Sequence, residues 1–269
     1  MKIRFAGALI VAVATFAIGI AGARPASADA LSDIKARGYI NVGVKADVLD
    51  FGYLNPKTNQ YEGYEIDIAH ALAQRLFGDP SQVKFTTVTA KTRSALLDSG
   101  ELDMVIATFT ITDQRKQVLD FSPPYFTDGI ALLVLKDSGI KSLPALNGKT
   151  IGVAKGADTA TRLTDRAGSG VSFNFAAFET YPEILAALEA GRVQAFSTDG
   201  SILKYYELQD KRTVILPGRY SDEDYGVATK KGNDTLAAWV SAQITDMGNS
   251  GTLKRWQQKW GIYYENISR

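Results

Sequence analysis

The chain has 269 residues, a formal net charge of +1, 45% hydrophobic and 22% charged residues, the balance of a globular protein long enough for two domains. It contains no cysteine and one histidine, which excludes disulfides, thiolate chemistry and cysteine metal sites, and leaves any histidine-dependent metal site or catalytic triad to His70 alone. Lysines and arginines are scattered among acids without a basic stripe, so nucleic-acid binding is not expected.

In chain order, Lys2 and Arg4 precede an uncharged stretch, residues 5–23, rich in Ala, Val, Ile and Gly; Ala26-Ser27-Ala28 then places small residues at the two positions a signal peptidase reads. This is the pattern of a secretory signal peptide, residues 1–28, cleaved after Ala28. A retained membrane anchor is the competing reading, because the apolar run is nearly long enough to span a bilayer. Its alanines and glycines make it only moderately hydrophobic, which favours cleavage. With no cysteine to carry lipid, the mature protein is expected free in the periplasm and not as a lipoprotein. No later segment is apolar enough to span a bilayer, so a membrane role must run through a partner.

From Leu31 onward, strand and helix patterns alternate. Residues 39–44 and 83–88 read as strands, 66–76 and 93–97 as helices, and 102–107 as a short apolar strand. This rhythm predicts an α/β fold with a largely parallel sheet. It then recurs, with strands at 130–135, 150–154 and 193–196, a helix at 184–189, and a mostly helical stretch at 236–260 that packs back on the first lobe. Residues 95–104 and 187–195 share one pattern, a helix closed by glycine, a spacer and a buried strand, which suggests two lobes of the same design. Pro123 and Pro124 stop regular structure and mark one crossing between lobes; the polar turn at 221–226 marks a second. The expected division is 29–124 and 226–269 for lobe 1, and 125–225 for lobe 2 with its hinge segments. Open α/β sheets bind ligands at the carboxyl ends of their strands, and that edge would line the cleft. His70 falls within an amphipathic helical pattern and reads as structural.

Three stretches carry polar groups to that edge. In the first, Thr108 and Thr110 end a buried strand, Thr112 is a natural helix N-cap, and Arg115 lies in the first turn, where a cation gains nothing from the helix dipole. Arg115 either makes a planar two-bond contact with a ligand carboxylate or pairs with Asp120 on the surface. In the second, Lys155-Gly156-Ala157-Asp158-Thr159 offers free backbone N–H groups to an anion, or is an ordinary loop capped by Asp158 or Thr159. In the third, Asp199 either binds an ammonium or caps the following helix. One arginine, one helix N-terminus and one aspartate across a cleft suit a zwitterionic α-amino acid.

The runs Gly63-Tyr64-Glu65-Ile66-Asp67, Leu97-Asp98-Ser99-Gly100-Glu101-Leu102-Asp103, Thr110-Ile111-Thr112-Asp113-Gln114-Arg115, Asp120-Phe121-Ser122-Pro123-Pro124-Tyr125 and Leu146-Asn147-Gly148-Lys149-Thr150-Ile151-Gly152-Val153, with Lys259-Trp260-Gly261, resemble family 3 of the extracellular solute-binding proteins, which serve polar amino-acid ABC importers. The resemblance implies a two-lobed periplasmic binding protein (Venus-flytrap) fold with two hinge crossings, closing around an amino acid, with no cofactor, no metal and no catalysis. Arg115 matches the position that clamps the α-carboxylate, Asp199 the position that takes the α-ammonium, and Thr108, Thr110 and Thr159 further contacts. Lys45 and Arg93 lie in stretches most like the aspartate/glutamate-binding branch, where they would meet the side-chain carboxylate; the bland alternative is that both are solvated loop residues. A buried cation facing a neutral ligand costs a few kcal/mol, which points to L-aspartate or L-glutamate, with glutamine or another polar amino acid as the alternative. The expected partners are the transmembrane subunits of an ABC permease and their ATPase, and the expected state is a monomer. A periplasmic cyclohexadienyl dehydratase shares the fold and is the enzymatic rival, but no acid can be placed opposite a leaving group.

Overall fold

The computed structural model describes residues 29–262; the expectations for the signal segment, residues 1–28, lie outside them. Helix α1 (Ala30–Arg37) starts on Asp29, whose carboxylate accepts from Leu31 N, and ends on Gly38 in the left-handed conformation. Strand β1 (Ile40–Val44) follows, then a small antiparallel sheet of β2 (Asp47–Val48), β3 (Gly52–Asn55) and β4 (Gln60–Glu62). Helix α2 (Tyr64–Phe77) buries Ile68, Ala69, Leu72 and Ala73, the spacing of one helical face. The first lobe continues through β5 (Val83–Thr87), α3 (Arg93–Asp98), β6 (Met104–Ile106), α4 (Asp113–Lys116) and β7 (Leu119–Phe121).

The chain crosses at β8 (Phe126–Asp128) into β9 (Ile130–Leu135), β10 (Thr150–Ala154), α5 (Thr159–Ala167), β11 (Asn174–Phe178), α6 (Tyr181–Glu189), β12 (Ala195–Asp199), α7 (Gly200–Gln209) and β13 (Thr213–Ile215). It returns through β14 (Glu223–Tyr225) to β15 (Ala228–Lys230), α8 (Asp234–Asn249) and α9 (Thr252–Trp260). The crossing strands β8 and β14 pair antiparallel, Phe126 opposite Tyr225. Helix α8 packs on α1 and on β7 and β15, and α9 packs on α2. Among the described residues no helix is long and apolar enough to cross a membrane.

The two five-stranded sheets have matching orders, β5-β1-β6-β15-β7 and β11-β10-β12-β9-β13. The repeated helix-glycine-strand pattern therefore occupies equivalent positions, α3 to β6 and α6 to β12. The expectation of a largely parallel sheet holds with one reversed strand in each sheet. In each sheet four strands share one direction and one runs against them, β15 between β6 and β7 and β9 between β12 and β13. The reason is topological: β9 and β15 arrive through the hinge and not over a βαβ helix, so they enter the sheet reversed.

One buried cluster continues from lobe to lobe through Phe51, Tyr64, Tyr125, Phe126 and Tyr225 at the hinge; two smaller clusters cover the other face of each sheet. Phe51 and Phe126 meet edge to face at 5.2 Å. Gly63, at the start of α2, has φ +133°, and a Cβ there would lie 2.2 Å from the Phe51 carbonyl oxygen. Gly63→Ala is therefore expected to cost roughly 2–4 kcal/mol, read as a lower urea midpoint; an unchanged midpoint would show that the backbone yields at this point.

Candidate functional site

The carboxyl ends of β1, β6, β10 and β12 meet where the lobes face each other, and they carry the site. Lys45, Arg93, Thr108, Thr110, Asp158, Thr159 and Asp199 line one small cavity there, with Tyr181 and Thr198 beside them. Arg115 is not on its wall but in the wider groove at the cleft mouth, with Thr112, Asp113 and Arg162.

Lys45 and Arg93 are not solvated: they are 3% and 4% exposed. Lys45 follows β1, and its Nζ lies 3.2 Å from Asp47 Oδ1 and 4.7 Å from the Tyr181 ring centre. Burial lowers its pKa against the pull of Asp47. Arg93 opens α3, donates through Nη1 to the carbonyls of Ala107 (2.7 Å) and Thr108 (3.2 Å), and stacks 3.8 Å over Phe109. Burial, with Arg115 adding repulsion, pulls its pKa down to about 10.

Thr108 has φ +44°, a left-handed conformation that costs a threonine about 1–2 kcal/mol. It is held from both sides. Its N–H donates to Glu65 Oε1 at 2.5 Å, and its carbonyl accepts from Arg93. Glu65, on α2, is fully buried and also accepts from Tyr125 Oη at 2.6 Å. Burial pushes its pKa up to about 7, opposed by these two hydrogen bonds and by Lys45 and Arg93.

Arg115 does not pair with Asp120, which is 2.6 Å from Lys231 instead. Thr112 Oγ1 caps the single turn of α4 by accepting from Arg115 N at 3.1 Å, and the Arg115 side chain turns back, donating to the Thr110 carbonyl at 2.7 Å and reaching Asp158 across the cleft at 3.5 Å. Asp158 sits at the N-cap of α5 without capping it; its other oxygen accepts from Arg162 at 3.2 Å.

Asp199 is likewise at the N-cap of α7 and makes no capping bond. Asp128, on the hinge, does so in its place, accepting from Ser201 N at 3.2 Å while paired with Arg219 at 2.7 Å. Asp199 is left 9% exposed on the cavity wall. Burial, then Asp128 and Glu223, raise its pKa well above the ordinary 3.8. A buried acid surrounded by acids and released from capping is a ready partner for a cation.

Tyr181, Thr198 and Glu65 were not singled out from the sequence. Glu65 had a legible signal, since it shares a helical face with Ile68, Ala69 and Leu72. Tyr181 opens α6, whose start is marked by Glu183 Oε2 accepting from Thr180 N at 3.3 Å; that its ring closes the cavity is a matter of lobe placement. His70 is structural, its Nδ1 2.7 Å from the Pro80 carbonyl and its ring edge-on to Phe85.

Two α/β lobes joined by a paired hinge, with opposite charges facing across strand ends, define a solute-binding protein. Residues 40–262 match the bacterial extracellular solute-binding proteins, family 3, and the chain belongs to that family. It is 41% identical over 207 residues to a glutamine-binding protein of Geobacillus stearothermophilus, covering 77% of this chain and 78% of that one. It is 37% identical over 234 residues to the glutamine-binding protein of a Bacillus subtilis ABC transporter, covering 86% and 84%. Its fold matches the crystal structure of a solute receptor for L-cysteine from Neisseria gonorrhoeae, with a TM-score of 0.81 at 29% identity over 88% of this chain and 96% of that one. The protein is thus an amino-acid-binding component of an ABC transporter.

Proposed function

We propose that the protein works in the periplasm, closes its lobes on L-glutamine and presents the closed form to the permease subunits of an importer and their ATPase. The observation that carries this reading is the charge balance of the cavity. Lys45 already has a carboxylate, Asp47, at 3.2 Å. What remains for the ligand is Asp199 on the second lobe and the guanidinium groups of Arg93 and Arg115 on the first, which suit an α-ammonium and an α-carboxylate. Arg115 turns to that carboxylate readily because its contact with Asp158 is long, at 3.5 Å. Thr108, Thr110, Thr159 and Thr198 supply further hydroxyl and backbone groups. A ligand that touches both lobes binds the closed form better than the open one, and this difference drives closure.

The expectation of an aspartate or glutamate ligand is accordingly set behind the glutamine alternative. It rested on the resemblance of the stretches around Lys45 and Arg93 to the aspartate/glutamate-binding branch and on the cost of a buried cation facing a neutral ligand; at Lys45, Asp47, two residues on, supplies a compensating charge, and two of the relatives named above are glutamine-binding proteins. The acidic ligand stays as a second reading on one observation, that two buried cations share a small cavity and Arg93 Nε has no hydrogen-bond partner. Isothermal titration of refolded protein, freed of carried-over ligand, separates the two. Glutamine is expected to bind roughly tenfold or more tightly than glutamate or aspartate. Tighter binding of the acids would replace the first reading by the second, and no heat from any amino acid would remove both.

A further inference from the structure

We propose that Asp47 sets the charge preference of the cleft, disfavouring an anionic ligand side chain, and that it is fixed in that role by closure of the lobes. The inference deepens the amino-acid reading above and rests on it. Asp47 is not a wall residue of the amino-acid cavity. It lies behind Lys45, at the edge of a second groove between the lobes with Tyr53, Tyr205 and Tyr206. It therefore acts on the ligand through Lys45, as a positioning residue.

Three contacts converge on it. Oδ1 is 3.2 Å from Lys45 Nζ. Oδ2 accepts from Tyr181 N at 3.4 Å, an unpaired amide at the start of α6, where the helix dipole favours an anion. Its backbone carbonyl accepts from Tyr206 Oη at 3.1 Å. Asp47 belongs to the two-residue strand β2 of the first lobe, whereas Tyr181 and Tyr206 belong to α6 and α7 of the second. Opening the cleft takes both tyrosine contacts away and leaves the carboxylate held only by Lys45 and solvent. Closing returns the α6 amide to Oδ2, which turns Oδ1 onto Lys45, whose ammonium is buried while the Asp47 side chain stays 22% exposed.

In that state a ligand carboxylate at Lys45 also faces the Asp47 carboxylate, whereas a side-chain amide accepts the Lys45 hydrogen bond without adding a charge. The other charges near Lys45, Glu65 and Arg93, act on it only at longer range and with opposite signs. The Tyr181 ring, 4.7 Å from Nζ, keeps the ammonium from moving out of reach of Asp47.

The test measures the ratio of glutamate to glutamine dissociation constants by calorimetry in wild type, Asp47→Asn, Lys45→Gln and Asp50→Asn. Asp47→Asn retains an oxygen for Tyr181 N–H and loses the charge, so the ratio is expected to fall by roughly tenfold or more in favour of glutamate. Lys45→Gln reads the same pair from the cation side and is expected to raise the ratio; it serves if Asp47→Asn does not fold. Asp50 is a first-lobe carboxylate without a contact to Lys45, and its substitution is expected to leave the ratio within about twofold of wild type. A folded Asp47→Asn variant with an unchanged ratio overturns the assignment. So does an unchanged ratio in Lys45→Gln, and so does an equal shift in Asp50→Asn, which would make the preference a matter of net charge. The wild-type preference by itself tests the glutamine reading; the shift on substitution tests Asp47, and either can fail alone.

Discussion

Asp199→Asn is expected to weaken amino-acid binding by roughly a hundredfold or more while leaving the ligand-free protein as stable as wild type or more so. Both halves follow from one arrangement. The Asp199 carboxylate is buried beside Asp128, Glu223 and Asp158, and it is not needed to cap α7 because Asp128 bonds Ser201 N. In the free protein its neighbours are the Tyr225 hydroxyl and three acids, with no cation among the described residues to match its charge, so ionising it there is costly and removing the charge relieves repulsion. In the complex it is the acid available to an α-ammonium, and deleting one member of a desolvated, hydrogen-bonded charge pair costs 2–5 kcal/mol or more. Because folding raises the Asp199 pKa, its contribution to stability is complete below the ordinary 3.8 and is lost as pH climbs from there through the raised value. Wild-type ligand-free protein should thus melt lower as pH rises through that window, ligand should cancel the decline, and Asp199→Asn should show less of it. Melting curves with and without ligand, together with titration calorimetry, check all three. Full-strength binding by the variant would place the ammonium elsewhere.

Glu65→Gln is expected to flatten the pH dependence of stability near neutrality, and Glu65→Ala to weaken ligand binding. Glu65 has a folded-state pKa of about 7 against an ordinary 4.5, raised by burial and held back by Tyr125, Thr108, Lys45 and Arg93. The sign is that of a raised acid: the protonated form is favoured in the fold, so its contribution is full below 4.5 and is lost as pH rises through about 7. The loss is about 1.4 kcal/mol for each pH unit over which the proton has left the unfolded chain but not the folded one. Glutamine mimics the protonated acid and still accepts from Thr108 N–H and Tyr125 Oη. Urea unfolding at pH 5, 6, 7 and 8 should show wild type losing stability relative to Glu65→Gln; parallel curves would mean that Glu65 stays charged with Lys45 and Arg93. Alanine removes the anchor of Thr108, whose left-handed backbone then relaxes and carries its carbonyl away from Arg93. Binding should fall even if the melting point, after the loss of a buried charge, moves little.

Much of the candidate site could be read in the amino-acid order because several of its polar groups stand at or just beyond the end of an apolar strand. Lys45 follows 40–44, Thr108 and Thr110 follow 104–106, and Asp199 ends 195–199. Strand hydrophobicity and loop polarity are local properties, so they leave a local trace. The paired sheets were legible for the same reason, through the helix-glycine-strand pattern at 95–104 and 187–195. The short strands β2 to β4 left no such trace, since two to four residues cannot establish an alternation.

The sequence by itself determined the two-lobed α/β design, the strand ends that carry the candidate ligand groups, and the lack of any cysteine. Only the tertiary structure decided how those charges are matched. Asp47 neutralises Lys45, Asp128 relieves Asp199 of capping α7, and Arg115 reaches Asp158 and not Asp120. These choices are electrostatic, and electrostatic partners are selected by distance and burial, which the packing of the folded chain controls, across the cleft for Arg115 and Asp158 and within the first lobe for Lys45 and Asp47, and a local pattern does not.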